Sequence, residues 1–159
     1  MKTPGSSIEL IFPPGVTAPP PPWDAPPGAA LSSESLGLAL HFAPARWLLL
    51  DTAAALVDAA VQSGALAIDV EGKWAVIEMP ELYARRILSA AVNVEAVLDG
   101  RDCAAAILFD CPAVIARRDR GESFVVCVHS SYAFSFKRAL AATLGRCRPA
   151  AIGCYRVSR

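Results

Sequence analysis

Leu36-Gly37-Leu38-Ala39-Leu40-His41-Phe42, then Ala43-Pro44-Ala45, then Arg46-Trp47-Leu48-Leu49-Leu50 is the stretch whose reading decides the fold. Two apolar runs of strand length across a proline-containing turn read as a hairpin. Asp51-Thr52 follow, and their side-chain oxygens can satisfy the free N–H groups of a first helical turn. Beyond them Leu56, Val57, Ala60 and Val61 recur at the three-and-four spacing of a buried helix stripe, and Gly64 supplies the stop. The same succession of strand, turn, strand and alanine-rich helix returns around Ser123-Phe124-Val125-Val126-Cys127-Val128. A recurrence of this kind signals a duplicated supersecondary unit. Because hairpins outnumber crossovers, the expected fold is α+β: mostly antiparallel sheets with packed helices, in two related halves.

The surrounding segments fit that plan. Leu66–Val70 and Trp74–Met79 read as strands joined in a hairpin by Glu71-Gly72-Lys73. Pro80 opens the next helix, where its missing N–H costs nothing, with Leu82, Ile87 and Leu88 inward and Arg85 and Arg86 toward solvent. A loop through Asp99-Gly100-Arg101-Asp102 leads to strands over Ala104–Phe109, Ala113–Ala116 and Phe124–Val128, the last two turned at Asp119-Arg120-Gly121. Ser130-Ser131 cap a final helix bearing Tyr132, Phe134, Phe136, Leu140 and Leu144 and ending at Gly145, and a short strand within Ala151–Val157 closes the chain. The N-terminal part differs. After the apolar alternation Ile8–Phe12 come Pro13, Pro14, Pro19 to Pro22, Pro26 and Pro27, an extended arm with Trp23 in its midst. A tryptophan there packs onto its own domain or a neighbour, because its area is costly to leave wet. The chain therefore divides into residues 1–35, a strand and proline-rich arm, and residues 36–159, a compact domain.

Apolar residues make up 54% of the chain and charged ones 19%, an excess and a deficit relative to ordinary globular domains. An alanine-rich protein and a subunit with a partner-covered apolar face both fit that balance. The formal net charge of +0 argues against nucleic acid, which needs a basic footprint. Arg117, Arg118 and Arg120 are interleaved with Asp119 and Glu122 and read as a solvated turn. The five cysteines, Cys103, Cys111, Cys127, Cys147 and Cys154, form no C-x-x-C, and only His41 and His129 accompany them. Zinc spacing is absent, and the residues after Met1 carry no apolar signal core. Reduced thiols and a cytoplasmic location are expected, with no membrane association.

No glycine-rich phosphate loop and no G-x-S-x-G elbow occur. His129 with Ser130-Ser131 reads as a histidine at a helix start, and His41 as a satisfied core or edge histidine. Asp69, Glu71 and Glu78 flank a turn with nothing to push their pKa values apart. The expectation is a chain with no catalytic, cofactor-binding or metal-binding residues of its own.

From Leu38 to Leu144 the chain resembles the gamma subunit of heterotetrameric sarcosine oxidase, itself related to the folate-binding domain of aminomethyltransferases. Arg46-Trp47-Leu48-Leu49-Leu50 is similar to the family's W-L-L strand. Ala67-Ile68-Asp69-Val70-Glu71-Gly72-Lys73-Trp74-Ala75-Val76-Ile77-Glu78 is similar to its next strand pair, followed by a helix with matching Arg85 and Leu88. The run from Phe124 to Leu140 resembles its strand and S-[FY]-A helix at Ser131-Tyr132-Ala133. Pro80-Glu81-Leu82 replaces the usual S-G-P, and the proline-rich arm replaces a helix between the first two strands. Where the transferases carry an acidic turn, this chain has Asp110-Cys111-Pro112-Ala113-Val114-Ile115.

The resemblance implies a non-catalytic structural subunit of a flavoenzyme that oxidises sarcosine or a similar N-methyl amine. Its partners would be alpha, beta and delta subunits, carrying FAD, FMN, NAD, tetrahydrofolate and zinc, with no cofactor bound by this chain. Trp23, Trp47, Phe134 and Phe136 are the expected interface anchors, since aromatic residues dominate such contacts. A free-standing folate-binding or aminomethyl-transfer protein is the alternative, and a scaffold module of another assembly the third.

Overall fold

A computed structural model describes residues 7–14, 22–33, 36–118, 122–146 and 157–158. Among the described residues, ten strands form two antiparallel sheets. The first holds β1 (Ser7–Ile11), β2 (Ala30–Ser33), β3 (Gly37–Ala43), β4 (Arg46–Leu50) and β5 (Leu66–Asp69), in the order β2-β3-β4-β1-β5. The second holds β6 (Trp74–Pro80), β7 (Cys103–Leu108), β8 (Cys111–Arg118), β9 (Ser123–His129) and β10 (Val157–Ser158), in the order β7-β8-β9-β6-β10. Adding five to each strand number turns one sheet into the other. Helix α1 (Ala54–Gln62) follows β4 as α4 (Ala133–Arg146) follows β9. The two related halves expected from the sequence are thus one topology used twice. They differ between their first two strands, where the first half has the proline-rich arm and the second has α2 (Glu81–Leu88) and α3 (Val94–Leu98).

The layers follow from which faces are apolar. Leu38, Leu40, Leu48 and Leu50 meet Val114, Ala116, Val125 and Cys127 between the sheets. The alternate residues face outward: Ala39, Trp47 and Leu49 beneath α1 and the arm, and Ile115, Phe124, Val126 and Val128 beneath α2, α3 and α4. A sheet buried on both faces needs no polar alternation, which is why β4 and β9 read as unbroken apolar runs. The arm is part of this packing. Trp23 meets Trp47 edge-on at 5.4 Å, and His41 stacks on Trp47 at 4.3 Å. The His41 Nδ1 lies 2.8 Å from the Ala25 carbonyl oxygen. That carbonyl can only accept, so Nδ1 carries the proton. Gly28 then ties the halves together, its carbonyl accepting from the Asp102 and Cys103 amides at 2.9 and 2.8 Å.

Several expectations are corrected. Glu71-Gly72-Lys73 turns the chain, but β5 pairs with β1 and β6 with β9, so the turn is a corner between sheets and not a hairpin. Turn chemistry fixes a reversal locally; which strands then pair depends on where each finds cover. Thr52 does not cap α1: its hydroxyl donates to the Leu36 carbonyl at 2.6 Å, and Ala53 stands at the cap with no side-chain bond. Val61 is exposed at the end of the expected stripe, whereas Val57 and Ala60 are buried. Leu82 points outward because α2 buries Ala84, Ile87 and Leu88, and a residue two before Ala84 lies across the helix from that stripe. Gly145 lies inside α4, which runs on to Arg146. Strand β2 and helix α3, the latter capped by Asn93 accepting from the Ala96 amide at 3.2 Å, add to the expected elements. The turn at residues 119–121 and most of the expected strand over 151–157 lie outside the described residues; its Val157 belongs to β10.

Gly37 starts β3 at a φ of 65°, and a Cβ there would stand 2.6 Å from the Asp51 carbonyl oxygen and closer still to that of Leu50. Gly72 has a similar φ, 74°, with nothing within 4 Å of that point. Gly37→Ala is therefore expected to cost about 2–4 kcal/mol, combining backbone strain with a backbone clash. Gly72→Ala is expected to cost about 1–2 kcal/mol, the backbone term alone. Urea unfolding midpoints of the two variants check the difference.

Candidate partner interface

The side chains with chemistry are mostly engaged in holding the two halves. Glu9 sits on the inner face of β1 with its carboxylate almost wholly buried, and it receives Lys73 Nζ at 2.7 Å and Arg46 at 2.9 Å. The Trp74 indole N–H adds a third bond at 3.3 Å. Arg46 comes from the first sheet, while Lys73 and Trp74 lie at the corner leading into the second, so one carboxylate pins the crossing point. Burial by itself would raise the Glu9 pKa. The hydrogen bonds from Lys73 and Arg46, with their charges, outweigh it and hold the group below the usual carboxylate value. A carboxylate so committed is a structural ion, not an acid poised for proton transfer.

The other candidates are similarly occupied. His129 Nδ1 lies 2.8 Å from Ser131 Oγ and accepts the Ser131 amide, across the start of a 3-10 turn at Ser130–Tyr132 that leads into α4. Ser130 donates its hydroxyl to the Gly72 carbonyl, and its amide bonds the Lys73 carbonyl at 2.8 Å. Ser130 therefore anchors the start of α4 to the corner between sheets, and His129 holds the turn that follows it. Among the described residues, His, Cys, Asp and Glu nowhere gather in threes that could hold a metal ion. Cys103 and Cys127 lie in the layer between the sheets, and burial pushes both thiols up to about 12. Cys111 is raised as well, first by burial and then by Asp110. These are inert hydrophobes. Cys147 and Cys154 lie outside the described residues.

Of the four expected interface anchors, three belong to the chain's own core. Trp23, Trp47 and Phe136 are 2%, 1% and 0% exposed and have no surface left to offer a partner. Trp23 and Trp47 close the outer face of the first sheet, and Phe136 packs on the second. Phe134 is 73% exposed. It shares the outer layer with Leu82, 78% exposed on α2, which contacts α4. A second uncovered apolar edge is β5, where Leu66 and Ile68 are exposed. Leu66 and Ile68 could not be singled out from sequence, because their pattern matches that of a covered strand. Leu82 lies off the buried stripe of α2 by its helical phase.

Charge was the signal left unread. Cut at the corner between the sheets, residues 1–73 hold seven Asp or Glu against three Lys or Arg, and residues 74–159 hold eight against twelve. The formal zero is thus −4 beside +4, and after Glu122 the chain contains no acid at all. Counting by halves instead of over the whole chain would have found it.

No protein-family model and no curated protein matches the chain. Among solved structures, it is similar to a chain of the heterotetrameric sarcosine oxidase from Corynebacterium sp. U-96, determined in complex with pyrrole 2-carboxylate. The TM-score is 0.68 at 15% identity, over 93% of this chain and 83% of that one. The two chains are therefore close in length and share a fold over that span. No helix among the described residues is long and apolar enough to cross a membrane.

Two outcomes follow from the electrostatics. Glu9 releases its proton more readily folded than unfolded, so its contribution to stability is full above the ordinary carboxylate range near 4.5 and is lost as pH falls through its lower folded value. Glu9→Gln should cost about 1–3 kcal/mol at neutral pH, since the half-exposed cations keep some hydration. It should also flatten the acid limb of stability, which urea titrations across that pH range measure. In the folded chain, Cys103 and Cys127 should resist iodoacetamide at about pH 8 and react once unfolded, because the reactive species is the thiolate. Peptide mass spectrometry reads the two sites separately.

Proposed function

We propose that the chain is a non-catalytic subunit of a heterotetrameric flavoenzyme oxidising sarcosine or a similar N-methyl amine, in the place of that enzyme's gamma subunit. The carrying observation is the shared fold: nearly all of this chain superposes on most of one similarly sized chain of a heterotetrameric sarcosine oxidase. The described side chains support a structural role. The buried acid is held by two cations, the buried thiols are protonated, and His129 is engaged at a helix start. On this reading alpha, beta and delta chains bring FAD, FMN, NAD, tetrahydrofolate and zinc, and the assembly works in the cytoplasm. This chain supplies folded surface that completes it.

Co-expression of the tagged chain with the alpha, beta and delta chains of a heterotetrameric sarcosine oxidase tests the reading. A stoichiometric complex with flavin absorbance is the expected result. A monodisperse monomer that never captures those chains would sink the proposal. Titrating the isolated chain with tetrahydrofolate while following tryptophan fluorescence distinguishes the folate-binding alternative, which demands a saturable response in the micromolar range. The expected result is none.

A further inference from the structure

Helix α4 presents two opposite stripes. Phe136 and Leu140 are buried with Leu144 packed beside them, one turn apart. Opposite them stand Phe134, Arg138, Ala141 and Gly145, with Lys137 at their flank, all exposed. The other five phenylalanines of the chain are buried or half-buried, so Phe134 is the exception. The Arg138 guanidinium lies over its ring, 5.9 Å from the centroid. At Gly145 nothing stands within 4 Å of where a Cβ would be, so a neighbouring backbone could approach closely. No acid occurs on α4. On α2 and α3, Glu81 and Glu95 are held by Arg85, and Glu95 also by Arg117. Arg86, Lys137 and Arg138 therefore have no carboxylate partner among the described residues. This is the outer layer of the positively charged half, facing away from the acidic first half.

We infer that this stripe of α4 docks on an acidic face of a larger protein subunit, with Phe134 filling an apolar recess and Lys137 and Arg138 meeting carboxylates. An aromatic anchor flanked by arginine is the composition of an interface centre, and opposed charge selects the partner and its orientation. Two cations and one ring are too few for nucleic acid, whose binding grows with the number of phosphates neutralised, and the acidic half would be repelled. A second copy could offer its acidic half, but that contact is head-to-tail and leads to open chains instead of a closed assembly. The inference rests on the subunit reading and names the surface that reading requires.

The test uses the co-expressed complex of the full chain with its flavin-binding chains. Lys137→Glu with Arg138→Glu should weaken the complex at least about tenfold, and Phe134→Ala by about thirtyfold. Asp58→Lys, on the exposed side of α1, should leave it unchanged. Far-ultraviolet circular dichroism and melting curves verify that each variant folds. Hydrogen exchange on the wild-type complex should show protection concentrated on the peptide holding residues 133–146. A complex that forms equally well with the α4 variants, or protection confined to β5, overturns the α4 surface while leaving the subunit reading intact. Failure to form any complex overturns both. Sedimentation showing self-association that Arg138→Glu abolishes would assign the stripe to a second copy. Binding to phosphatidylglycerol vesicles without a protein complex would assign it to a membrane. Either result overturns the inference.

Discussion

Each sheet has an apolar residue at nearly every position of its central strands, so both faces of both sheets have to be covered. The layer between them meets half of that demand and makes each half of the chain dependent on the other. Leu48 and Leu50 of β4 are dry only because Val125 and Cys127 of β9 face them across the gap. Neither duplicated unit would be stable alone with that face wet, given that burial of one large apolar side chain contributes about 1.5–3 kcal/mol. The other two faces are then closed differently. The second half uses three helices, and the first uses one helix plus an arm whose Trp23 packs against Trp47. A single tryptophan with its prolines thus stands where the other half has α2 and α3. The fixed φ of Pro22, Pro26 and Pro27 lowers the entropy lost in holding that cover in place.

The crossing between halves is where polar chemistry concentrates. Glu9, Arg46, Lys73 and Trp74 lock the corner, Ser130 binds the backbone of Gly72 and Lys73, and His129 sets the start of α4. These groups could suggest a reactive site if read one at a time. Together they form a joint, since each polar atom is directed at another part of the same chain. The joint also fixes the direction in which α4 leaves the sheet, and with it the face that Phe134, Lys137 and Arg138 present. The uneven division of charge adds to this: a neutral chain with opposed halves has a preferred orientation in the field of a charged partner, which a uniformly neutral one lacks.

Local order was legible in the sequence wherever the physics is local. The hairpin at Ala43-Pro44-Ala45, the stop at Gly64, the helix after Pro80 and the recurrence of strand and helix around Phe124 all depend on residues within a few positions of one another. Turn residues, helical period and repeat were enough to place them, and the repeat was enough to foresee two halves. The charge division was written in the sequence too, hidden by summing over the chain. Tertiary structure alone decided what depends on distant partners. Glu71-Gly72-Lys73 reverses the chain whether the strands on either side pair or part, and the pairing of β5 with β1 sent them to different sheets. Trp23, Trp47 and Phe136 are aromatic like Phe134, but only packing determines which rings are enclosed, because burial depends on what lies opposite in space. A sequence lists apolar area; the folded chain assigns it to core or to surface.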